Sequence, residues 1–380
     1  MRQSRRGQVD PFIVMDVMEA ARRAEAAGRR IVHMEVGQPA TPAPAVARRT
    51  LAAALDQPLG YTVALGLPAL REAIAGLYRR WYGVELDPGR VVITAGSSGA
   101  FLLAFAALFE AGDRVAVGEP GYPSYRQILR AMSVEPVGMP TRFENRYQPL
   151  PADIPGDVQG VMLASPGNPS GTMLDHAALA ALAARAAEIG AALISDEIYH
   201  GLSYGARCVS ALEVTDDVVV INSFSKFFSM TGWRIGWMVV PPDLVRTMDR
   251  LAANMFICPP HASQVAALAA LSPEGEAEAQ ANLAVYAENR RLLLDRLPAI
   301  GFDRIAPPDG AFYLYADVSA LTDDSAALAA EILETAGVAV TPGIDFDPVR
   351  GARTLRFSYA QSTADIAEGL DRLARWMAAR

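Results

Sequence analysis

Near the middle of the chain, residues 218–226 are VVVINSFSK. The first four side chains are all apolar and β-branched, without the alternation of a half-buried strand, which is typical of a strand buried on both faces in a parallel sheet. Lys226 follows the carboxyl end of this strand, the edge at which open α/β sheets bind ligands. Burial there disfavours the ammonium form of a lysine, and a neutral amine can form a Schiff base with an aldehyde. The stretch therefore predicts a buried parallel strand that ends at a reactive amine.

Similar strands alternate with helical segments from about residue 90 to residue 240. The predicted strands are residues 90–94, 114–118, 161–164, 191–195, 218–222 and 234–239. Helices are predicted between them at residues 97–110, 124–131 and 175–189. This alternation predicts one large α/β domain whose mostly parallel sheet is covered by helices.

The pattern changes after residue 260. Two long helical segments are followed by short strands and helices that predict a smaller α/β unit, and a helix at 11–27 with a strand at 31–35 is expected to pack on that unit. In the C-terminal part, the predicted helices are 262–271, 273–298, 325–336 and 363–379, and the strands are 302–305, 312–317, 338–341 and 354–358. We therefore expect an N-terminal segment at 1–45 that packs with the small domain, a large domain at 46–280 and a small C-terminal domain at 281–380.

The composition excludes several classes of partner. The 380 residues are 51% hydrophobic and 20% charged, which provides enough apolar side chain for about two folded domains. Acidic residues outnumber basic ones by 42 to 34, and the formal net charge is −8. Because the chain has no overall positive field, we expect neither a nucleic acid nor an anionic membrane surface as its partner.

The cysteines and the apolar runs of the sequence indicate the cellular compartment in which we expect the protein. Cys208 and Cys258 are too few for a disulfide framework, and no CxxC motif or cysteine–histidine cluster indicates a metal site. The most apolar run, residues 100–109, is about half as long as a membrane-spanning helix, and the first residues lack the pattern of a signal peptide. These features favour a cytoplasmic protein that needs no metal.

Two glycine-rich segments contain groups that suit a phosphate. The segment GWRIG, residues 232–236, places Arg234 between glycines at the start of an apolar strand, and a guanidinium offers a fork of donors to a phosphate. The segment AGSSGA, residues 95–100, joins a strand to a helix, so the amides of Ser97 and Ser98 would face an anion. Each segment alone has an ordinary interpretation, as a strand-edge ion pair or as a helix cap.

Two further segments follow buried strands. Asp196, in the segment SDEIY, would be costly to bury without a cation, and a pyridinium nitrogen is one such partner. Asn168 lies in the double-proline turn SPGNPSG, which would aim its side chain inward if the X-Pro bonds are cis. For Glu197 we expect a solvated loop, and for His200 a surface position.

Taken together, these segments resemble the class I/II pyridoxal-phosphate aminotransferases of fold type I, whose fold is like that of aspartate aminotransferase. The resemblance extends from about residue 31 to residue 360, in order and in spacing. Its segments are GSS at 96–98, SPGNP at 165–169, DEIY at 196–199, SFSK at 223–226, GWRIG at 232–236 and RFS at 356–358. It implies an α/β fold with a mostly parallel seven-stranded sheet between helices in the large domain, a smaller α/β domain, and pyridoxal 5'-phosphate as the cofactor.

The resemblance also implies a role for each cofactor-binding residue. Lys226 would form the Schiff base and later move the α-proton, and Asp196 would pair with the pyridinium nitrogen. Tyr199 and Asn168 would hydrogen-bond the phenolic oxygen of the ring, on which Tyr122 would stack. The residues implied to hold the phosphate are Ser97, Ser98, Ser223 and Arg234.

Substrate contacts and an assembly follow from the same resemblance. Arg356 would grip the α-carboxylate of the substrate bidentately, with Gly37 and Asn168 completing this part of the site. Tyr61 stands where the family has a tyrosine that reaches the phosphate of the neighbouring subunit, which implies a homodimer with shared active sites. The sequence marks no second arginine as a receptor for a side-chain carboxylate, so a preference for aspartate or glutamate is not supported.

The favoured reaction moves an amino group from an L-amino acid to a 2-oxo acid in two half-reactions. The same anchoring residues would also serve a β-elimination C–S lyase, a decarboxylase or a cyclopropane-forming synthase. A grip on the α-carboxylate by Arg356 argues against decarboxylation but not against elimination. A cofactor-sensing regulatory module that binds DNA is disfavoured by the net charge of −8.

Overall fold

A computed structural model describes the whole chain, residues 1–380. Its thirteen strands are β1 Val32–His33, β2 Val91–Thr94, β3 Arg114–Glu119, β4 Glu135–Pro140, β5 Gly160–Ala164, β6 Ala192–Asp196, β7 Val219–Ser223, β8 Gly236–Val239, β9 Arg304–Ile305, β10 Tyr313–Asp317, β11 Val338–Ala339, β12 Thr341–Pro342 and β13 Thr354–Ser358. Its eleven α-helices are α1 Ile13–Ala26, α2 Ala45–Ala54, α3 Pro68–Tyr82, α4 Gly96–Leu108, α5 Pro123–Ala131, α6 His176–Glu188, α7 Val245–Phe256, α8 His261–Ala270, α9 Pro273–Arg296, α10 Ser325–Glu331 and α11 Thr363–Ala379. None of these helices combines the length and the apolar composition that crossing a membrane requires.

A seven-stranded sheet forms the centre of the larger part of the molecule. Its strand order is β2-β8-β7-β6-β5-β3-β4, and only β8 runs antiparallel to its neighbours. The predicted α/β fold with a mostly parallel seven-stranded sheet is confirmed. Because β2, β5, β6 and β7 all run in one direction, their carboxyl ends lie at the same edge of the sheet, where α/β proteins bind ligands.

Burial on both faces of this sheet explains the continuous apolar sequences of its strands. In β2, Val91 and Ile93 belong to the larger apolar core, whereas Val92 belongs to a second core on the other face. Helices α4, α5 and α7 supply side chains to the second core, and α3 and α6 supply side chains to the larger one. The two cores hold the sheet edge rigidly in place, because each buried aliphatic side chain stabilises the fold by roughly 1.5–3 kcal/mol.

The smaller part contains a four-stranded antiparallel sheet in the order β12-β13-β10-β9. The N-terminal strand β1 pairs with β11 in parallel, so that Val32 lies beside Val338. This pairing brings the N-terminal segment against elements from the end of the chain. The division of the chain after residues 45 and 280 stays a prediction.

Three elements differ from the predicted ones for local reasons. The sequence does not predict β4, because the strand contains two prolines and a glycine; prolines are tolerated there since β4 lies at the sheet edge. The predicted strand 234–239 begins at Gly236, because Arg234 adopts a left-handed φ of 51°. The predicted strand 338–341 is divided into β11 and β12, which pair with different sheets.

Gly236 allows β8 to pass close to the first turn of α4. A Cβ atom on this residue would lie 2.8 Å from the carbonyl oxygen of Asn222 and 3.1 Å from the amide nitrogen of Ser97. We therefore expect Gly236→Ala to push β8 away from β7 and from α4 and to lower the free energy of unfolding by about 1–3 kcal/mol, measured by urea titration. Gly232→Ala is the control, because a Cβ there would have no neighbour within 4 Å. Equal unfolding midpoints for the two variants would contradict this account.

Candidate active site

A cavity of about 270 Å³ opens at the carboxyl edge of the large sheet. It receives side chains from the ends of β5, β6 and β7, from the start of α4, and from β13 of the smaller part. Ten of the twelve predicted site residues line it: Gly37, Ser97, Ser98, Tyr122, Asn168, Asp196, Tyr199, Lys226, Arg234 and Arg356. The structure therefore brings together residues that are up to about three hundred positions apart in the sequence.

Lys226 is the only lysine of the chain, since the 34 basic residues comprise 33 arginines and one lysine. Its Nζ atom donates a hydrogen bond to the carbonyl oxygen of Gly37 at 2.7 Å and lies 5.8 Å from the ring centre of Tyr199. Burial lowers the pKa of Lys226 to about 8, and the positive charges of Arg356 and Arg234 act in the same direction. A lysine with this pKa has an appreciable fraction of neutral, nucleophilic amine near neutral pH.

Asp196 ends β6 and is almost completely buried. The hydroxyl of Tyr125 donates a hydrogen bond to one carboxylate oxygen, and the amide of Ile198 donates to the other at 3.0 Å. Burial raises the pKa of Asp196 to about 6, although these two hydrogen bonds and the charge of Lys226 oppose the shift. The carboxylate forms no ion pair within the chain, so a positively charged group in the cavity would stabilise it.

The hydroxyl of Tyr199 lies 2.8 Å from that of Tyr313, and both side chains are buried. Burial raises the pKa of each phenol, so both remain protonated and can donate. Tyr313 also explains why residue 37 is a glycine, because a Cβ atom at this position would overlap the Tyr313 hydroxyl. The two tyrosines form a polar wall beside Lys226.

The start of α4 and Arg234 form the end of the cavity that suits an anion. No side chain caps α4, which leaves the first-turn amides of Ser97 and Ser98 available as donors. Gly96 has a φ of +71°, and a Cβ atom on it would lie 2.5 Å from Nη2 of Arg234. Arg234 donates from Nη1 to the carbonyl oxygen of Thr231 at 3.1 Å but has no acidic partner. Amides and an unpaired guanidinium at one point are the donors that a phosphate requires.

Arg356 forms a second anion-binding point in the cavity. Its buried guanidinium donates to Oδ1 of Asn168 at 2.8 Å, to Oγ1 of Thr341 at 3.2 Å and to the carbonyl oxygen of Glu35. The ring of Tyr313 lies 4.3 Å from its Cζ atom. Arg356 has no acidic partner, and its Nε atom has no acceptor. A buried cation without a counter-charge is costly, so the site favours an anionic group such as a carboxylate.

Two of the predicted site residues lie outside the cavity lining. Ser223 is buried outside this lining, with its hydroxyl donating to the carbonyl oxygen of Ile235 at 3.1 Å and lying 2.8 Å from Oγ of Ser225. Tyr61 lies on the surface, with 83% of its area exposed. The roles of both residues stay predictions.

The expectation that Glu197 and His200 lie in solvent is wrong, because both are almost completely buried. Glu197 accepts hydrogen bonds from the hydroxyl of Ser210 at 2.9 Å and the amide of Ala211 at 2.7 Å, and burial raises its pKa to about 8. Burial also lowers the pKa of His200 to about 4, so this imidazole is neutral at physiological pH.

The neutral imidazole of His200 connects α3 to the turn that carries Asn168. Its Nε2 atom donates to the carbonyl oxygen of Ser165 at 3.0 Å, and its Nδ1 atom accepts from the hydroxyl of Tyr82 at 2.6 Å. His200 therefore supports the position of the Asn168 turn from behind.

Tyr125 is a site residue that the sequence reasoning missed. It lies in α5, one turn after Tyr122, and its hydroxyl is the only side-chain donor to Asp196. Tyr122 is the N-cap residue of α5 and has an extended backbone, so the spacing of a helix face does not relate the two side chains. Both residues line the cavity, which only the folded structure shows.

Labelling of the only lysine tests the electrostatics of the site. In the ligand-free protein, we expect the reactivity of Lys226 towards an acylating reagent to follow a pKa of about 8, measured by mass spectrometry of its peptide. Arg356→Gln should raise this value by removing a nearby positive charge, whereas Arg290→Gln, outside the cavity, should not change it. A reactivity that follows the ordinary value of 10.5 in the folded protein would contradict this description.

Comparisons with known proteins identify the family. The profile described as "Aminotransferase class I and II" matches residues 29–373. The valine–pyruvate aminotransferase of Mycobacterium tuberculosis is 50% identical over 378 residues, which cover 98% of this chain and 97% of that protein. The crystal structure of an aminotransferase from Mycobacterium tuberculosis superposes with a TM-score of 0.98 at 49% identity and covers 100% of both chains. The aspartate aminotransferase of Thermus thermophilus, solved with maleate, gives a TM-score of 0.93 at 33% identity, with 99% of this chain and 100% of that chain covered.

These matches cover nearly the whole chain, and the structural relatives have the aspartate aminotransferase-like fold that the motifs indicate. They favour transamination over elimination, since each of these relatives is named as an aminotransferase. The chain therefore belongs to the class I and II aminotransferase family and is a transaminase.

Proposed function

We propose that this aminotransferase binds pyridoxal 5'-phosphate in the cavity around Lys226 and moves an amino group from an L-amino acid with an apolar side chain to a 2-oxo acid. One observation carries the proposal. The only lysine of the chain lines the same cavity as a buried carboxylate, Asp196, and two arginines that have no acidic partner, Arg234 and Arg356. This arrangement suits a ligand that has an aldehyde, a phosphate and a basic ring nitrogen.

The cavity residues fit each part of this cofactor. Arg234 and the amides of Ser97 and Ser98 would hold the phosphate, because they offer unpaired donors at one place. Asp196 would lie beside the ring nitrogen, whose positive charge would offset the cost of burying the carboxylate. Tyr122 would lie against the ring face. The hydroxyl of Tyr199 and the amide of Asn168 would hydrogen-bond the phenolic oxygen, and Ser223 would support the phosphate side from behind.

The side chains have separate tasks in the reaction. When bound, pyridoxal phosphate supplies an aldehyde that condenses with primary amines and a ring that withdraws electrons from the neighbouring carbon. Lys226, with a pKa of about 8, can hold a proton on Nζ or release it near neutral pH, as a group that moves the α-proton must do. Arg356 would hold the substrate carboxylate in place with Asn168 and the amide of Gly37. A fixed carboxylate favours loss of the α-proton over loss of carbon dioxide.

Part of the cavity wall is apolar. It is lined by Phe12, Met15, Met18 and Val36. The three cationic side chains of the cavity, Lys226, Arg234 and Arg356, are already assigned to the cofactor and to the substrate carboxylate. An aliphatic substrate side chain would therefore lose less solvation here than a charged one. The name of the Mycobacterium tuberculosis relative, a valine–pyruvate aminotransferase, supports the same substrate class.

The exposure of Tyr61 supports a homodimer with shared active sites. Apolar side chains near it are also exposed, with Val63 at 58% and Ile257 at 53%. The segments of Val63 and Ile257 are connected through Gln264, whose Nε2 atom donates to Oγ1 of Thr62 and to the carbonyl oxygen of Pro259, both at 3.1 Å. An apolar surface of this kind favours a protein partner, and we propose that Tyr61 completes the phosphate site of the second subunit.

The two unpaired cysteines support a cytoplasmic location. The division of the chain into three parts after residues 45 and 280 remains part of this proposal.

Replacement of Lys226 tests the proposed chemistry. The wild-type protein should be yellow, and borohydride should fix the cofactor on the only lysine, seen as a mass increase of the Lys226 peptide. An amino acid added alone should change the absorbance spectrum of the bound cofactor, because it drives the first half-reaction. Lys226→Ala and the charge-preserving Lys226→Arg should both reduce the rate of this half-reaction by about 10³-fold or more. Full activity in either variant, or release of ammonia and pyruvate instead, would refute the proposed reaction.

Mixing two variants, one with weakened cofactor binding and one without the lysine, tests the shared site. Tyr61→Ala should weaken cofactor binding by about 10–100-fold, through loss of a hydrogen bond to a charged group. Tyr147→Phe, a change outside the cavity around Lys226, should not weaken it. If Tyr61 acts on the second subunit, a mixed dimer of Tyr61→Ala with Lys226→Ala contains one site with both native residues and one site with neither. Random exchange of equal amounts makes half of the dimers mixed, so mixing should restore about a quarter of the wild-type sites. Failure of this restoration in a dimer verified by sedimentation would show that Tyr61 does not act across the interface.

A further inference from the structure

The start of helix α1 is held by a residue far along the chain. Phe12, at the N-cap position, has no side chain that can cap the helix. Instead, the amides of Ile13 and Val14 donate to the two carboxylate oxygens of Asp345, at 3.2 and 3.1 Å. Asp345 is almost completely buried, and its carboxylate takes the place of a local N-cap.

Helix α1 and its N-cap residue also supply part of the apolar wall of the cavity. Phe12, Val14, Met15 and Met18 all line the cavity, and the ring of Phe12 packs edge-on against Tyr122 with 5.8 Å between the ring centres. The position of this wall therefore depends on where the first turn of α1 is fixed. Asp345 makes the two hydrogen bonds that fix it.

The turn that carries Asp345 is connected to Arg356. The buried guanidinium of Arg126 donates to the carbonyl oxygens of Asp345 at 2.9 Å and Phe346 at 3.0 Å. The ring of Phe346 in turn lies 4.7 Å from the Cζ atom of Arg356. One rigid turn thus sets the distance between the group proposed to hold the substrate carboxylate and the wall proposed to contact the substrate side chain.

We propose that Asp345 is a specificity-determining positioning residue, which holds the α1 wall at the distance from Arg356 that suits a branched aliphatic side chain. This inference rests on the proposed function of the cavity. A wall that is held less firmly loses contacts with a valine side chain, whereas the methyl group of alanine offers few contacts to lose. A purely structural role for Asp345 would instead lower the activity towards both substrates equally.

The test compares the holoenzymes of the wild type, Asp345→Asn and Asp347→Asn in the half-reaction with valine and with alanine. Asparagine keeps one acceptor but presents an amino group to the second helix amide, which removes one of the two hydrogen bonds. Asp347 is a matched control on the same turn, because its carboxylate accepts from the amides of Val349 and Arg350 and does not contact α1.

For Asp345→Asn we expect the ratio of kcat/KM for valine to that for alanine to fall by about 10-fold, the size of effect that a few side-chain contacts have on selectivity. The loss should appear mainly in KM for valine. Hydrogen exchange of the Ile13 and Val14 amides in the same holoenzyme should accelerate, and Asp347→Asn should change neither quantity. Faster exchange with an unchanged ratio would overturn the inference, as would an unchanged exchange rate.

The same experiment separates this inference from the proposed function. If the wild-type holoenzyme converts neither valine nor alanine nor any other amino acid, the proposed function is wrong. If the wild type converts both and Asp345→Asn keeps the wild-type ratio, only the role of Asp345 is wrong.

Discussion

The site depends on charges that are removed from water without a counter-charge in the chain. Asp196 and Arg356 are both almost completely buried, and neither forms an ion pair. Desolvation of such groups costs several kcal/mol each, so the surrounding structure must prevent them from turning towards solvent. Tyr125 and Ile198 hold the aspartate, and Asn168 holds the arginine. Burial, together with the positive charges of Arg356 and Arg234, lowers the pKa of Lys226. The buried charges without ion pairs leave the cavity complementary to a ligand that carries opposite charges at matching places.

The sheet and the residues at its edge could be predicted from the sequence because their causes are local. A strand buried on both faces has a continuous apolar sequence, as at residues 218–221, and the position of its end determines where Lys226 lies. The same reasoning applies to Asp196 after β6 and to Ser97 at the start of α4. Each of these side chains reaches the cavity because a local pattern ends next to it.

The residues that were missed depend on contacts outside the local sequence pattern, many of them with distant parts of the chain. Glu197 and His200 belong to a polar segment that looks solvated, but Ser210 and Tyr82 satisfy their side chains in the interior. The partner of Asp345 lies 332 residues away, and no local pattern contains that information. The composition alone, however, identifies the candidate for the reactive amine, because Lys226 is the only lysine of the chain.

The use of arginine everywhere else has a chemical consequence for this site. Ion pairs on the surface, such as those of Arg30 with Glu368 and Arg291 with Glu288, are all made by arginine or histidine. A guanidinium stays protonated at any physiological pH and does not condense with an aldehyde as a neutral amine does, so arginine provides positive charge without amine reactivity. Lys226 is then the only side-chain amine that an aldehyde can meet, and burial makes it more reactive than a surface lysine would be. In this chain, the tasks of carrying positive charge and of reacting with carbonyl groups are divided between two types of residue.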